Sequence, residues 1–206
     1  MHNQLNRILP WHRKLYSRHL MLRRLGRKDA RPLYRLITEN RDYLRYWMPP
    51  FPDRINCGLI EEWLAEEQKL MRRGERIDLG IFSLDGRELL GRVALHSIRW
   101  GIQRSASLSY WLSQKSTGSG YSTEAVATLI SFAFEELQLH RILAEISPDN
   151  KPSLAVVAKL GFRNEGLNVK SLFLNACWQD TCQMALLEEE YDQLAESWIR
   201  RGILGV

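Results

Sequence analysis

The chain has 206 residues, of which 45 % are hydrophobic and 26 % charged, and it carries a net charge of +5; these are ordinary values for one globular domain with a sizeable core. Its apolar runs are short and broken by charge, which excludes a membrane-spanning helix, and the residues after Arg7, Arg13 and Lys14 contain no long apolar segment with a small-residue cleavage site, so the N-terminus does not read as a secretion signal. Cys57, Cys177 and Cys182 have no metal-ligand spacing, which points to reduced thiols, a cytoplasmic setting and no bound metal.

The charge is uneven. Residues 1–31 hold nine Lys or Arg against one acid, Asp29, an excess of +8 that leaves −3 for the remainder. Residues 1–17 lack apolar periodicity and are expected to form a basic extension to a single domain spanning 18–206. Such an arm suits contact with RNA, a ribosome or an acidic partner, because several phosphate contacts attract without reading sequence. It equally suits a solvated segment with ordinary surface arginines.

The alternation in Leu20 to Leu25 predicts a first strand, and Asp29 stands as N-cap of a helix through Leu33, Leu36 and Ile37. A second helical stretch over 40–47 stops at Pro49-Pro50. Leu59, Ile60, Trp63, Leu64 and Leu70 fall on one face of a third helix, 59–73, closed by Gly74. The middle is β: 79–84 and 88–98 form a hairpin about Asp85-Gly86, and 106–112 follows after Gly101. Val126, Leu129, Ile130, Ala133 and Leu137 mark a helix that starts near Tyr121. A strand over 141–147 and a helix over 152–160 come next, then a hairpin, 169–174 with 179–187, turning at Asn175-Ala176. Within it Cys177 and Cys182 could face each other, although small buried residues are the expected reading. Residues 188–201 form a last amphipathic helix with Tyr191, Leu194 and Trp198 on one side. This order does not match a dinucleotide fold, whose glycine fingerprint follows its first strand.

The most telling stretch runs from Trp111 to Ala125, where an apolar strand enters a short basic, hydroxyl- and glycine-rich loop that opens directly into a helix. Gly118 and Gly120 lack Cβ, so the backbone can bring several N–H groups close to an anion, and the helix start adds its own unpaired amides. Alone, such a loop is a common turn. Its context adds Pro148-Asp149-Asn150-Lys151-Pro152-Ser153, Lys159-Leu160-Gly161-Phe162 and Glu165-Gly166.

With these elements in this order, the chain resembles the GNAT superfamily of acyl-CoA N-acyltransferases, and within it the ribosomal-protein-alanine N-acetyltransferases. The matches span Leu20 to Tyr191 and include Leu22 to Leu25 with Asp29-Ala30, Arg45 to Pro49, Gly91 with Leu95-His96, and Tyr110 to Leu112. They continue through Gly118 to Ala125, His140-Arg141, Asn150 with Ser153, and Lys159 to Phe162. The resemblance implies a mixed α/β (α+β) GNAT fold, in which a mostly antiparallel central sheet of six to seven strands is flanked by helices and two central strands splay apart. It also implies acetyl-CoA as co-substrate, direct transfer in a ternary complex, no metal, and an amine acceptor such as the N-terminal α-amine of a ribosomal protein. A small amine, such as an antibiotic or polyamine, stays open as acceptor. So do a non-catalytic CoA-binding module on the ribosome, and both monomer and homodimer.

By the resemblance, Trp111 and Leu112 offer backbone groups to the pantetheine arm, and Lys115, Ser116, Thr117, Gly118, Ser119, Gly120, Tyr121 and Ser122 hold the pyrophosphate. Asn150 and Ser153 sit beside pantetheine and thiol, and Lys159 reaches a CoA phosphate. The chemistry of these groups agrees: an open strand edge pairs with amides, oriented N–H groups favour a diphosphate, and Asn both donates and accepts. Asn40, Tyr43, Trp47 and Pro49-Pro50 fall along the acceptor groove, with anchoring to the core as the alternative for the aromatics.

Transfer needs a neutral amine, a stabilised oxyanion and a proton for the leaving thiolate. A backbone N–H of the Trp111-Leu112 strand suits the oxyanion. Ser153 suits the proton, or else satisfies a helix N-terminus. Many relatives carry an acid where this chain has Ser107, which leaves Glu145 and His96 as candidate bases; each also reads as an ordinary strand residue. Asp53, Glu61 and Glu62 near the groove would suit a cationic small amine. Glu124, in a helix first turn, reads as structural.

Overall fold

Short aliphatic segments, alternating or continuously apolar, form a single sheet in the computed structural model, which describes residues 13–52 and 54–204. The strands are β1 (Lys14–Tyr16), β2 (Leu20–Arg24), β3 (Ile77–Ser83), β4 (Leu89–Arg99), β5 (Ser105–Leu112), β6 (Arg141–Ile146), β7 (Arg163–Leu174) and β8 (Cys177–Leu187). The helices are α1 (Ala30–Glu39), α2 (Arg41–Leu44), α3 (Cys57–Arg73), α4 (Tyr121–Glu135), α5 (Lys151–Lys159) and α6 (Glu188–Arg200). Across the sheet the order is β1-β2-β3-β4-β5-β6-β8-β7. All neighbours are antiparallel except β5 and β6.

One sheet face is covered by α4 and α6. From Thr123 to Phe134, α4 is buried at every position but Ser131, which is why its sequence is apolar all round rather than striped. Tyr191 and Trp198 of α6 pack beside it, with ring centroids 5.2 Å apart for Phe134–Tyr191 and 5.4 Å for Tyr191–Trp198. The opposite face is covered by α1 and α3, whose Leu33, Ile37, Ile60 and Leu64 close on Met21 and Phe82. The start of α3 is set by Asn56, whose Oδ1 accepts from Leu59 N at 3.0 Å, and its end by Gly74, as the sequence predicts.

The sheet has eight strands, one beyond the expected range, because part of the expected N-terminal extension is a strand. Lys14, Leu15 and Tyr16 pair with Arg23, Leu22 and Met21. Residues 1–12 of the expected arm lie outside the described residues. Some of the basic excess is paired with acids of the domain: Arg13 with Glu136, Arg23 with Asp29 and, at the surface, Arg27 with Glu61. Asp29 does not cap α1 through its side chain. Instead its carboxylate accepts from Gly26 N and Arg23; burial works against ionisation there, but these donors and the nearby Arg23 and Lys28 charges hold the carboxyl below its ordinary range.

At the other edge β7 begins at Arg163 rather than at Val169. Its first residues are largely exposed and interrupted by a register shift at Asn164/Gly166, so no alternation marks them. The three thiols are free, and Cys177 is exposed rather than buried. It lies opposite Leu174, and Cys182 opposite Leu167. No helix among the described residues is long and apolar enough to cross a membrane.

Candidate active site

β5 and β6 pair only where Ser105, Ala106 and Ser107 meet Arg141, Ile142 and Leu143. Beyond that β5 stays with β4 as far as Leu112, β6 stays with β8 as far as Ile146, and the two part. The N-terminal turn of α5 is held against the splay by Tyr110, whose hydroxyl donates to Ser153 O at 3.0 Å. The parting leaves the β6-facing backbone of Leu108 to Leu112 without a strand partner, and a cavity of about 850 Å³ runs along it. Gly91 of β4 permits this path for β5, because a Cβ there would stand 2.1 Å from Trp111 O.

At one end of the cavity lies the glycine loop. Gly118 (φ +81°) and Gly120 (φ +83°) take left-handed backbone. The first bond of α4 runs from Glu124 N to Gly120 O at 3.0 Å. The N–H groups of Gly118, Gly120, Tyr121 and Ser122 therefore have no partner among the described residues, and all four residues line the cavity. Partnerless amides at a helix N-terminus make a site for a diphosphate. The loop is braced from below by Asn40, whose Oδ1 accepts from Gln114 N at 2.7 Å while its Nδ2 donates to Leu36 O at 2.8 Å.

Asn150 and Ser153 stand midway. Asn150 caps α5, its Oδ1 accepting from Ser153 N at 3.2 Å, which leaves its Nδ2 donors uncommitted among the described residues. Ser153 Oγ likewise has no hydrogen-bond partner among the described residues, and both side chains line the cavity. Burial pushes the Tyr110 phenol above its ordinary range, so it stays protonated as the donor to Ser153 O. Lys159 lines the cavity from the last turn of α5.

The far end is walled by Tyr43, Trp47 and Met48 from the α2 region and by Trp63 of α3. Its floor is a buried ion cluster. Arg92 Nε donates to Asp78 Oδ1 at 3.0 Å, its Nη2 bonds Oδ2 of the same carboxylate, and its guanidinium stacks 4.0 Å from the Trp63 ring centroid. Arg76 reaches Asp78 at 3.1 Å and Glu67 at 2.7 Å. Burial and the neighbouring Asp78 raise the Glu67 carboxyl above its usual range, against the pull of Arg76 and Arg92. The sequence signal for this cluster was an isolated charge within each of two adjoining apolar runs, Asp78 in β3 and Arg92 in the first half of β4.

The structure thus brings Trp111, Leu112, Thr117, Gly118, Gly120, Tyr121 and Ser122 together on one cavity wall with Asn150, Ser153 and Lys159, and adds Tyr43 and Trp47. It leaves several sequence candidates off that wall. Asn40 is buried and spends its amide on backbone, so it braces the loop instead of facing an acceptor. Lys115 pairs with Glu88, Ser116 bonds Ser113 Oγ at 2.8 Å, and Ser119 is exposed. Glu145 is exposed on β6 and accepts from Asn168 at 3.1 Å. His96 lies further along β4 beyond Ala94, opposite Ser107; burial and then Arg76 lower its imidazole pKa, with Asp78 opposing. Glu61 pairs with Arg27 and Glu62 is exposed, neither on the cavity wall, and Asp53 lies outside the described residues. Among the described residues no group of three His, Cys, Asp or Glu could hold a metal ion.

Residues 19–163 match the family model described as "Acetyltransferase (GNAT) domain". The chain belongs to the GNAT acetyltransferase family. It is 32 % identical over 180 residues to the probable N-acetyltransferase YjcK of Bacillus subtilis, covering 87 % of this chain and 99 % of that one. It is 28 % identical over 187 residues to the ribosomal protein uS5-alanine N-acetyltransferase of Escherichia coli, covering 86 % and 92 %. The structure of Mycobacterium smegmatis RimJ in complex with CoA-disulfide superposes with a TM-score of 0.84 at 28 % identity, over 95 % of this chain and 97 % of that one. The GNAT assignment agrees with the splayed sheet and makes the protein an N-acetyltransferase.

Proposed function

We propose that this GNAT enzyme transfers an acetyl group from acetyl-CoA to the N-terminal α-amine of a protein, with ribosomal proteins as the acceptor class. The observation that carries the reading is continuity: one cavity runs from the partnerless amides of α4, along the open edge of β5, to an aromatic-walled end between α2 and α3. A diphosphate fits the first part, an amide-bearing arm fits the strand edge and Asn150, and an extended peptide end fits the aromatic walls. The CoA carried by the RimJ neighbour supports the donor.

In this reading a backbone N–H on the open edge of β5 stabilises the oxyanion as the amine attacks the thioester carbonyl. As the C–S bond breaks, Ser153 Oγ gives the thiolate its proton, and the proton shed by the attacking nitrogen returns through solvent to the serine oxygen. Neither Glu145 nor His96 lines the cavity, so the acceptor must supply its own neutral form. At pH ~7.5 an α-amine of pKa ~7.8 is roughly one third neutral, whereas a lysine of pKa ~10.4 is only about 0.1 % neutral. That favours an N-terminus over a side-chain amine. A polyamine is disfavoured by charge: Asp78 is the one carboxylate on the cavity wall among the described residues, and its oxygens are taken by Arg92 and Arg76.

Mass spectrometry of protein N-termini from cells with and without the enzyme tests the reading. One or a few N-termini are expected to lose their acetyl group. Unchanged N-termini with lost polyamine or lysine acetylation would contradict it. Removing residues 1–12 alone, which spares β1, is expected to weaken association with ribosomes and lower its salt dependence; unchanged association would remove the arm from the acceptor reading.

A further inference from the structure

Three cations from distant parts of the chain are carried on neighbouring segments, one of which, at Lys159, lines the cavity. Lys159 stands at the end of α5, nine residues or about 13 Å along the helix from the capping Asn150. Its carbonyl accepts from Arg201 Nη1 at 3.2 Å, just past the end of α6. The next residue, Gly202, leaves room for Arg18, whose Nη1 stands 2.9 Å from where a Cβ would be. Arg18 itself sits in the turn between β1 and β2.

That turn is fixed to the glycine-loop helix by a buried carboxylate. Glu124, only 5 % exposed in the first turn of α4, accepts from Ser17 Oγ at 2.7 Å, His19 N at 2.6 Å and the His19 ring at 3.0 Å. The residues on both sides of Arg18 are thereby tied to the element that carries the partnerless amides. Glu124 is consumed by the turn, so it does not compete for Arg18. The side chains of Arg18, Lys159 and Arg201 are exposed, and none pairs with a carboxylate among the described residues.

We infer that Arg18, Arg201 and Lys159 form a subsite for a terminal phosphate monoester on the nucleotide end of the donor, which makes the protein discriminate coenzyme A from its 3′-dephospho form. This rests on the proposal that coenzyme A carries the acyl group. A monoester holds about −1.5 to −2 charges at neutral pH and three acceptor oxygens, and two guanidinium forks match that geometry better than ammonium groups do. Because the cluster is exposed, its contribution is screened by salt.

The test is calorimetric titration of the full-length protein with coenzyme A and with 3′-dephospho-coenzyme A, which needs no knowledge of the acceptor. The wild type is expected to bind coenzyme A about tenfold or more tightly than the dephospho form. The preference should shrink as salt rises from about 50 mM to about 500 mM. In R18Q/R201Q it should fall to about twofold or less, with R18K keeping an intermediate preference and an unchanged thermal midpoint confirming that the variants fold. Equal affinity for both ligands in the wild type, or an undiminished preference in the double variant, would overturn the subsite alone. Binding of neither ligand by the wild type would overturn the donor proposal together with it.

Discussion

Ser153 and His96 show how position, rather than residue type, assigns a role. Both were candidates from sequence, yet Ser153 lines the cavity with Asn150 while His96 does not. Ser153→Ala is therefore expected to lower kcat by about a hundredfold, within the range of general-acid effects, with little change in KM for acetyl-CoA; steady-state kinetics read this directly, and an unchanged kcat would leave the hydroxyl without a catalytic role. His96 is expected to act on stability instead. Burial, aided by the Arg76 charge, holds its pKa below the ordinary value, so the unfolded chain binds more protons below about pH 6.5. The imidazole's contribution is complete above that pH and lost as pH falls through its lowered folded value. Urea midpoints taken between about pH 7 and pH 5 should fall less steeply for His96→Gln than for the wild type. A steeper or identical fall would contradict the assignment.

At the scale of elements, the glycine near the start of β4 decides where β5 runs. Gly91→Ala would drive a Cβ against Trp111 O and to 2.8 Å from Leu112 Cα. Both neighbours are backbone and cannot swing away, so a cost of about 1–3 kcal/mol is expected from overpacking, with weaker coenzyme binding because the strand edge shifts. Urea denaturation and donor titration measure the two effects. The central hairpin and α3 were legible because their signals are local: the Asp85-Gly86 turn between two apolar runs, the apolar face of α3 and Gly74 after it. β1 was not, since three residues carry no period, and its place depends on pairing with β2. The first half of β7 was hidden for another reason: a strand exposed at a sheet edge shows no buried face to reveal it.

Across the whole molecule, the residues that line the glycine-loop end of the cavity were readable and those of its far end were not. Gly118, Gly120, Asn150, Ser153 and Lys159 sit in two contiguous stretches whose loop and cap chemistry is written in sequence order. The floor of the far end is assembled from Trp63 and Glu67 of α3, Arg76 and Asp78 at β3, and Arg92 of β4. No spacing rule joins residues brought together only by packing α3 over the sheet. Asn40 was misplaced for the same reason, as its contact with Gln114 spans 74 residues.

That asymmetry makes the acceptor the point to test. Purified enzyme, acetyl-CoA and two versions of one peptide would suffice, one with a free N-terminal alanine and an internal lysine, the other with its N-terminus blocked; mass spectrometry would place the acetyl group. The α-amine of the first peptide is expected to react at least about a hundredfold faster than the lysine of the second, following the neutral fractions of the two amines. Equal or faster acetylation of the blocked peptide's lysine would contradict N-terminal transfer.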